Sequence, residues 1–287
     1  MKDLCFFVSD LHGKIEKYNK LFTFIEKLRP GVVFMGGDLL PAGIAAALKM
    51  DNIYSDFVSQ YLAKKFLQLK SKMKKAYPWI FLILGNDDPR IEEEKFLFYE
   101  KEGLWQYMHM KCVNMGQYSI CGYSFVPPTP FMLKDWERYD MSQYVDPGCM
   151  HPMEGFRTVE INDDIEFENI RKDLQTLTGG KDLSKTILLF HSPPYQTYLD
   201  RAALDDVMID HVPADVNVGS VAIKELIEQQ NPYITLHGHI HESSRITGRW
   251  KQKINKTWAY SAAYEGNNLA VVQFSLSNPA EAERIIL

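Results

Sequence analysis

The sequence predicts an α/β protein built on a parallel sheet. Short apolar runs have the length of buried strands, stretches with helical spacing separate them, and glycine-flanked polar motifs recur where the apolar runs end. Residues 4–8 form the first strand. Residues 15–28 follow as a helix with Ile15, Tyr18, Leu21, Phe22, Ile25 and Leu28 on one face, stopped by Pro30 and Gly31. Residues 32–35 form a second strand. A second helix then places Tyr54, Phe57, Val58, Tyr61, Leu62, Phe66, Leu69 and Met73 on its apolar face and lysines opposite. Residues 79–84 form the third strand. Strand and helix in alternation imply right-handed crossovers and a parallel core.

From residue 118 the pattern changes. Residues 118–126 read as a longer strand, and Pro127-Pro128-Thr129-Pro130 opens an irregular stretch to about residue 164. A structureless segment of that length inside a compact unit is functional or disordered. Its aromatic and methionine content (Phe131, Trp136, Tyr139, Tyr144, Met150, Met153) argues for a folded, substrate-shaping insertion over 127–164. Asp163 with Glu166 resembles a capping box for a helix bearing Phe167, Ile170, Leu174 and Leu177. A strand over 186–190 and a helix capped by Ser220 come next, then strands over 233–236, 257–262 and 269–276. No repeat, linker or low-complexity tract interrupts the chain, so residues 1–287 are expected to form a single domain.

The formal net charge is −5, which offers no basic footprint for a long nucleic-acid backbone but does not exclude nucleotides. No run is long enough to span a bilayer, and no signal-peptide pattern opens the chain. The four cysteines (Cys5, Cys112, Cys121, Cys149) show no C-x-x-C spacing. They are expected to be reduced thiols, which would place the protein in the cytoplasm.

The chemistry sits at the ends of the apolar runs, in Asp10-Leu11-His12-Gly13, Gly37-Asp38, Gly85-Asn86-Asp87, His191, and Gly238-His239-Ile240-His241. In an extended Asp-x-His the two side chains project on the same side, so Asp10 and His12 are expected to aim together at one point, as a divalent cation requires. Taken singly, each of these residues has an ordinary structural explanation as a turn, a cap or a core histidine. Jointly they do not: two carboxylates, one carboxamide and four imidazoles, each near glycine or proline, all end strands. In open α/β sheets that edge is where ligands bind.

The order D-x-H, G-D, G-N, lone His, G-H-x-H resembles the calcineurin-like metallophosphoesterase family over most of the chain. The resemblance implies a four-layer α/β/β/α sandwich of two mixed sheets and a centre of two divalent metal ions, with a bridging hydroxide as nucleophile. It further implies that Asp10, His12 and His241 hold one metal, Asn86, His191 and His239 the other, and that Asp38 bridges them. Mixed nitrogen and oxygen ligands suit Mn, Fe, Zn, Co or Ni, with manganese the first choice. The two ions would bring four positive charges against two carboxylates, leaving charge to bind a phosphoester. The expected substrate is a small phosphodiester in preference to a monoester, with nucleotides among the candidates.

One position departs from the family pattern. Where the family has histidine after the Gly-Asn pair, this chain has Asp87. A carboxylate beside two cations is expected to stay ionised and to protonate no leaving group, which favours substrates with good leaving groups. Asp87 and Arg90 are the candidate catalytic residues outside the metal ligands. The same departure supports a rival reading, a fold retained as a binding or interaction module with weak or lost catalysis. The full ligand set argues against that rival.

Overall fold

The structure, a computed structural model, describes residues 3–41, 56–160 and 165–287. Two six-stranded mixed sheets face each other. The first has the spatial order β14-β13-β1-β2-β3-β4, where β1 is Leu4–Val8, β2 Val32–Gly36, β3 Trp79–Ile83, β4 Gln106–Tyr107, β13 Ala270–Ser275 and β14 Glu283–Ile286. In it β1 to β4 run parallel, while β13 and β14 add antiparallel. The second sheet has the order β11-β12-β10-β7-β6-β5, where β5 is Lys111–Met115, β6 Tyr118–Tyr123, β7 Thr186–Phe190, β10 Ile234–His237, β11 Lys251–Ile254 and β12 Thr257–Ser261. Here β6, β7, β10 and β12 are parallel, with β5 and β11 antiparallel at the two edges.

The period-two alternation of strand side chains builds the layers. Cys5, Phe7, Val32, Phe34, Phe81 and Ile83 point from the first sheet into the space between the sheets, where they meet Ile187, Leu189, Ile234 and Leu236. Their neighbours Phe6, Val8, Val33 and Met35 face outward. They are covered by α1 (Ile15–Leu28) through Tyr18, Leu21 and Ile25, and by α2 (Ala63–Met73) through Phe66 and Leu69. On the far side α4 (Ile170–Thr178) and α5 (Val221–Gln230), which follow α3 (Glu93–Lys101), cover Leu188 and Phe190. Burial on both faces is why the central strands read as continuous apolar runs. The four-layer α/β/β/α arrangement expected from the sequence is the one observed.

Several expectations need correction. Cys112 and Cys121 are not free thiols: they form a disulfide, with Cα atoms 4.1 Å apart. They sit directly opposite each other in the antiparallel β5–β6 pair, so the register brings the sulfurs within bonding reach. Cys5 and Cys149 are free. The bond removes the cysteine-based ground for a reducing compartment. The strand expected over 118–126 ends at Tyr123; beyond it Val126 makes only a bridge to Glu137. Helix α4 begins at Ile170, because the side chain of Asn169 accepts from Lys172 N at 3.0 Å. Glu166 lies upstream of that cap, Phe167 is exposed, and Asp163 falls outside the described residues.

The apolar face expected before Met73 is buried from Phe57 onward, but the helix has a π turn over Val58–Leu62 before α2; Tyr54 lies outside the described residues. The cap at Ser220 holds, with its Oγ accepting from Ile223 N at 3.1 Å. Among the described residues no helix is long and apolar enough to cross a membrane.

The described part of the 127–164 insertion is irregular but tied down. Lys134 and Glu137 form an ion pair of 2.6 Å with both side chains fully buried, and Glu137 also accepts from Thr129 N at 2.7 Å. Asp135 accepts from Arg90 N and Thr158 N at 2.7 and 2.8 Å, which fixes the insertion to the segment after β3.

Candidate metal centre

Each sequence-predicted ligand lies at the carboxyl end of a parallel strand: Asp10 and His12 after β1, Asp38 after β2, Asn86 after β3, His191 after β7, and His239 and His241 after β10. The first three strands belong to one sheet and the last two to the other, so the residues converge across the mouth of the sandwich. His191 Nε2 lies 3.0 Å from Asn86 Oδ1 and 3.3 Å from Asp38 Oδ2. His241 Nε2 lies 3.2 Å from Asp10 Oδ1 and 3.2 Å from His12 Nε2, and His12 Nε2 is 3.9 Å from Asp38 Oδ2. Asp10, His12 and His241 thus form one group whose donor atoms lie within 4.8 Å of one another, and Asp38, His191 and His239 form a second.

The local backbone that achieves this is not the extended one expected. β1 ends at Val8, and Asp10 and His12 both take left-handed conformations (φ 59° and 47°), as do Asp38 (52°) and His239 (74°). Asp10 and His12 therefore meet through a turn and not through strand alternation. The turn is laced to the loop after β2 by Asp10 N→Gly37 O at 3.0 Å, His12 N→Asp38 O at 2.8 Å and Gly13 N→Leu39 O at 3.0 Å. Left-handed backbone at a non-glycine residue costs about 1–2 kcal/mol and persists only where the surroundings enforce it. Glycine is needed where two loops touch. A Cβ on Gly37 would stand 2.6 Å from His191 Nδ1 and 2.9 Å from the Gly85 backbone.

Residues that sequence reasoning passed over hold the ligands in place. Asp88, fully buried, accepts from Leu39 N (3.1 Å), Leu40 N (2.7 Å) and Gly85 N (2.8 Å), pinning the Asp38 loop against the Asn86 loop. Lys17, also buried, donates to Asp10 O at 3.0 Å, and Ser9 Oγ donates to the Asp10 carboxylate. His191 Nδ1 rests on Gly36 O at 2.7 Å, which turns Nε2 toward Asp38 and Asn86. Asp88 stood in plain sight beside Asn86; its role depends on partners 48 and 49 residues away, which spacing alone does not reveal.

The mutual electrostatics of these donors suits the same reading. Burial is the largest single influence on Asp10 and would raise it, yet its bond to His241 together with the charges of His241, His191 and His12 holds the carboxyl well below its ordinary value. Burial likewise opposes Asp38, but His191 beside it brings it down to about 2. Burial would lower His191, and Asp38 overrides that and raises it to about 10. Desolvation, then the charge of His191, lowers the half-buried His239 to about 3. Two ionised carboxylates are thus offset by a proton on imidazole, the charge that a cation would replace. His12 Nδ1 is buried with no hydrogen-bond partner, 3.5 Å from Asp87 Oδ2. Buried nitrogen and oxygen donors aimed at one another fit divalent ions that accept both.

Asp87 is placed beside the site, its N–H donating to Asp38 Oδ1 at 2.9 Å. Burial and then the Asp38 charge push its carboxyl up to about 7, the opposite of the direction expected beside two cations, whose charge would act against both causes. Arg90 is half-buried and held by its neighbours. Its Nε pairs with Glu93 at 3.2 Å and its guanidinium lies 4.8 Å from the Trp136 ring centre. His237 is structural, bonded to Ser192 O and Thr235 Oγ1 at 2.9 and 2.8 Å.

The fold and this constellation define a metal-dependent phosphoesterase class, and the chain belongs to the calcineurin-like phosphoesterase family, whose model matches residues 5–243. A stretch of 68 residues, 23% of this chain, is 40% identical to an uncharacterized protein of Methanocaldococcus jannaschii and spans 28% of that relative's length. The crystal structure of TT1561 of Thermus thermophilus superposes with a TM-score of 0.58 at 13% identity, over 100% of this chain and 99% of that one. A second crystal structure does so at 0.59 and 14% over the same shares. At such identities the likeness is one of fold.

Proposed function

We propose that the protein is a two-metal phosphodiesterase acting on a small substrate. One observation supports this most directly: seven nitrogen and oxygen donors from five strand ends converge, Asp10, His12 and His241 in one group, Asp38, His191 and His239 in another with Asn86 3.0 Å from His191, and Asp38 within reach of both. In this reading Asp10, His12 and His241 hold one divalent ion, Asn86, His191 and His239 hold a second, and Asp38 bridges. Divalent ions so placed would acidify a water at neutral pH and withdraw charge from the phosphoryl oxygens, the chemistry of in-line phosphoester hydrolysis.

The chain's own residues supply the framework. Asp88 and Lys17 fix the two loops that carry the first carboxylates, and Gly36 O sets the ring orientation of His191. Asp87 occupies the place where the family has an imidazole, so leaving groups are expected to depart with little protonation. The rate should therefore fall as the leaving-group pKa rises across a series of aryl phosphodiesters. A rate independent of that pKa would mean that another acid does the work.

Hydrolysis of bis(4-nitrophenyl) phosphate with manganese tests the reading as a whole. Activity is expected in the wild type and should fall by a factor on the order of a thousand in Asp38→Ala. A replete, folded wild type without activity would support the binding-module alternative instead.

A further inference from the structure

A cavity of about 290 Å³ lies between the insertion and the loop after β7. The insertion contributes Pro127, Pro128, Pro130 and residues 146–149. The opposite wall is a small hairpin of β8 (Met208–Ile209) and β9 (Val212–Pro213) with the segment leading from it to α5. Five prolines line it (Pro127, Pro128, Pro130, Pro147, Pro213), joined by aliphatic side chains such as Leu204, Ile209 and Val218. Proline fixes φ, so these walls are set before anything binds, which lowers the entropic cost of binding. The two sides already touch: a Cβ on Gly148 would stand 2.7 Å from Ile209 Cδ1.

The cavity is continuous with the loop that carries His191. Gly219, on its lining, packs on that loop so closely that a Cβ there would stand 2.7 Å from Pro193 O. Ser220 N donates to Pro193 O at 2.9 Å and Tyr195 N to Ser220 O at 3.0 Å. The fully buried Asp200 binds both segments, accepting from Thr197 N at 2.7 Å and Gly219 N at 3.2 Å. Pro194 is three residues from His191, at most about 11 Å along the chain. A ligand could therefore fill the cavity and still reach the metal centre.

The lining chemistry selects one end of such a ligand. Among the described residues no lysine, arginine or histidine lines the cavity, and its two charged residues are Asp146 and Asp215. The two carboxylates feel each other: partial burial, then the Asp215 charge, pushes the Asp146 carboxyl up. Tyr195 OH and Asn217 N hold Asp215 at 2.6 and 2.8 Å. An apolar cleft whose two charged groups are carboxylates, with no cation, repels a phosphate. It suits a flat apolar group that presents N–H donors.

Resting on the phosphodiesterase reading for its second half, we propose that this cavity is the subsite for the organic group of the substrate, an amino-bearing nucleobase. The phosphoester points from it toward Asp38 and His191. The prolines provide flat apolar faces for the ring, and Asp146 and Asp215 accept its exocyclic N–H groups.

Binding of adenosine to the full-length protein, measured by calorimetry, tests the pocket without any turnover. Adenosine is expected to bind, and purine riboside, which lacks the amino group, at least about fivefold more weakly. Asp215→Asn should bring adenosine close to purine riboside, and Ala214→Trp, which fills the cavity, should abolish binding of both. No binding of adenosine at about 10 mM, or equal binding of the two nucleosides, would overturn the proposal. So would a wild-type dimer that Ala214→Trp dissolves, which would assign the face to self-association.

The kinetic arm compares adenosine 5′-(4-nitrophenyl phosphate) with methyl 4-nitrophenyl phosphate, which share one leaving group. The nucleoside ester should have a KM at least about tenfold lower, and Ala214→Trp should bring the KM values of the two esters together. An advantage that survives Ala214→Trp would overturn the proposal. Adenosine binding with no turnover of either ester would leave the pocket standing and refute the hydrolase reading alone.

Discussion

At the scale of single residues, the candidate centre depends on side chains that never touch a substrate. Asp88 is the clearest. It gathers three backbone N–H groups from two loops inside the protein, and a buried donor left unpaired costs about 1–3 kcal/mol. Asp88→Ala is accordingly expected to lower stability by about 3 kcal/mol or more in denaturant unfolding, and to lower metal affinity with it. A loss below about 0.5 kcal/mol would mean that water or a loop shift replaces the carboxylate. The residues that converge there were legible in the sequence as candidate ligands because their chemistry is unusual and each follows an apolar run. The turn that orients Asp10 and His12 was not, since the apolar run before them reads as a strand continuing in extended conformation, and the Asp and His types that favour left-handed backbone are equally those of a ligand pair.

At the scale of elements, the second sheet's helices are fixed at their starts. Helix α5 receives two acceptors: Ser220 Oγ takes Ile223 N, and the Asp140 carboxylate takes Ser220 Oγ at 2.5 Å and Val221 N at 2.6 Å. A capping acceptor at a helix start contributes about 1–2 kcal/mol, so Asp140→Ala should lower stability by that amount at about pH 4 and by less at neutral pH. The same group sets a pH dependence. Burial raises the Asp140 carboxyl to about 6, so the folded protein holds this proton more tightly than the unfolded chain. Its contribution to stability is fully present below about pH 4 and is lost as pH rises through about 6. The stability difference between wild type and Asp140→Asn should shrink across that window; a difference that grows with pH would contradict the assignment.

Ser220 was recognisable as a cap from its position before an apolar helical pattern. Asn169 was missed because the pair Asp163 and Glu166 offered a competing start, and Asp140 because it reaches α5 from 81 residues upstream. Cys112 and Cys121 were misread for a related reason: residue spacing does not show that a hairpin sets them face to face.

At the scale of the whole molecule, the site exists because two sheets are held in register across a shared apolar layer. Phe34, fully buried, stacks with Phe81 and Phe274 at ring-centre distances of 5.6 and 6.2 Å. Phe34→Ala should cost about 3–5 kcal/mol through lost transfer energy and a cavity. Because β2 carries Asp38 while the facing sheet carries His191 and His239, metal affinity should weaken in the same variant, although Phe34 lies away from the ligands. The layered architecture followed from the sequence because strands buried on both faces are recognisable as apolar runs. The pairing of β5, β11 and β14 at the edges was not, since short half-exposed strands carry too few apolar residues to stand out.

The most direct test of the central claim is a crystal of the manganese-loaded protein measured at a wavelength where that metal scatters anomalously. Two peaks per chain are expected, one among Asp10, His12 and His241 and one among Asn86, His191 and His239, with Asp38 between them. A single peak elsewhere, or none in a metal-replete crystal, would contradict the account.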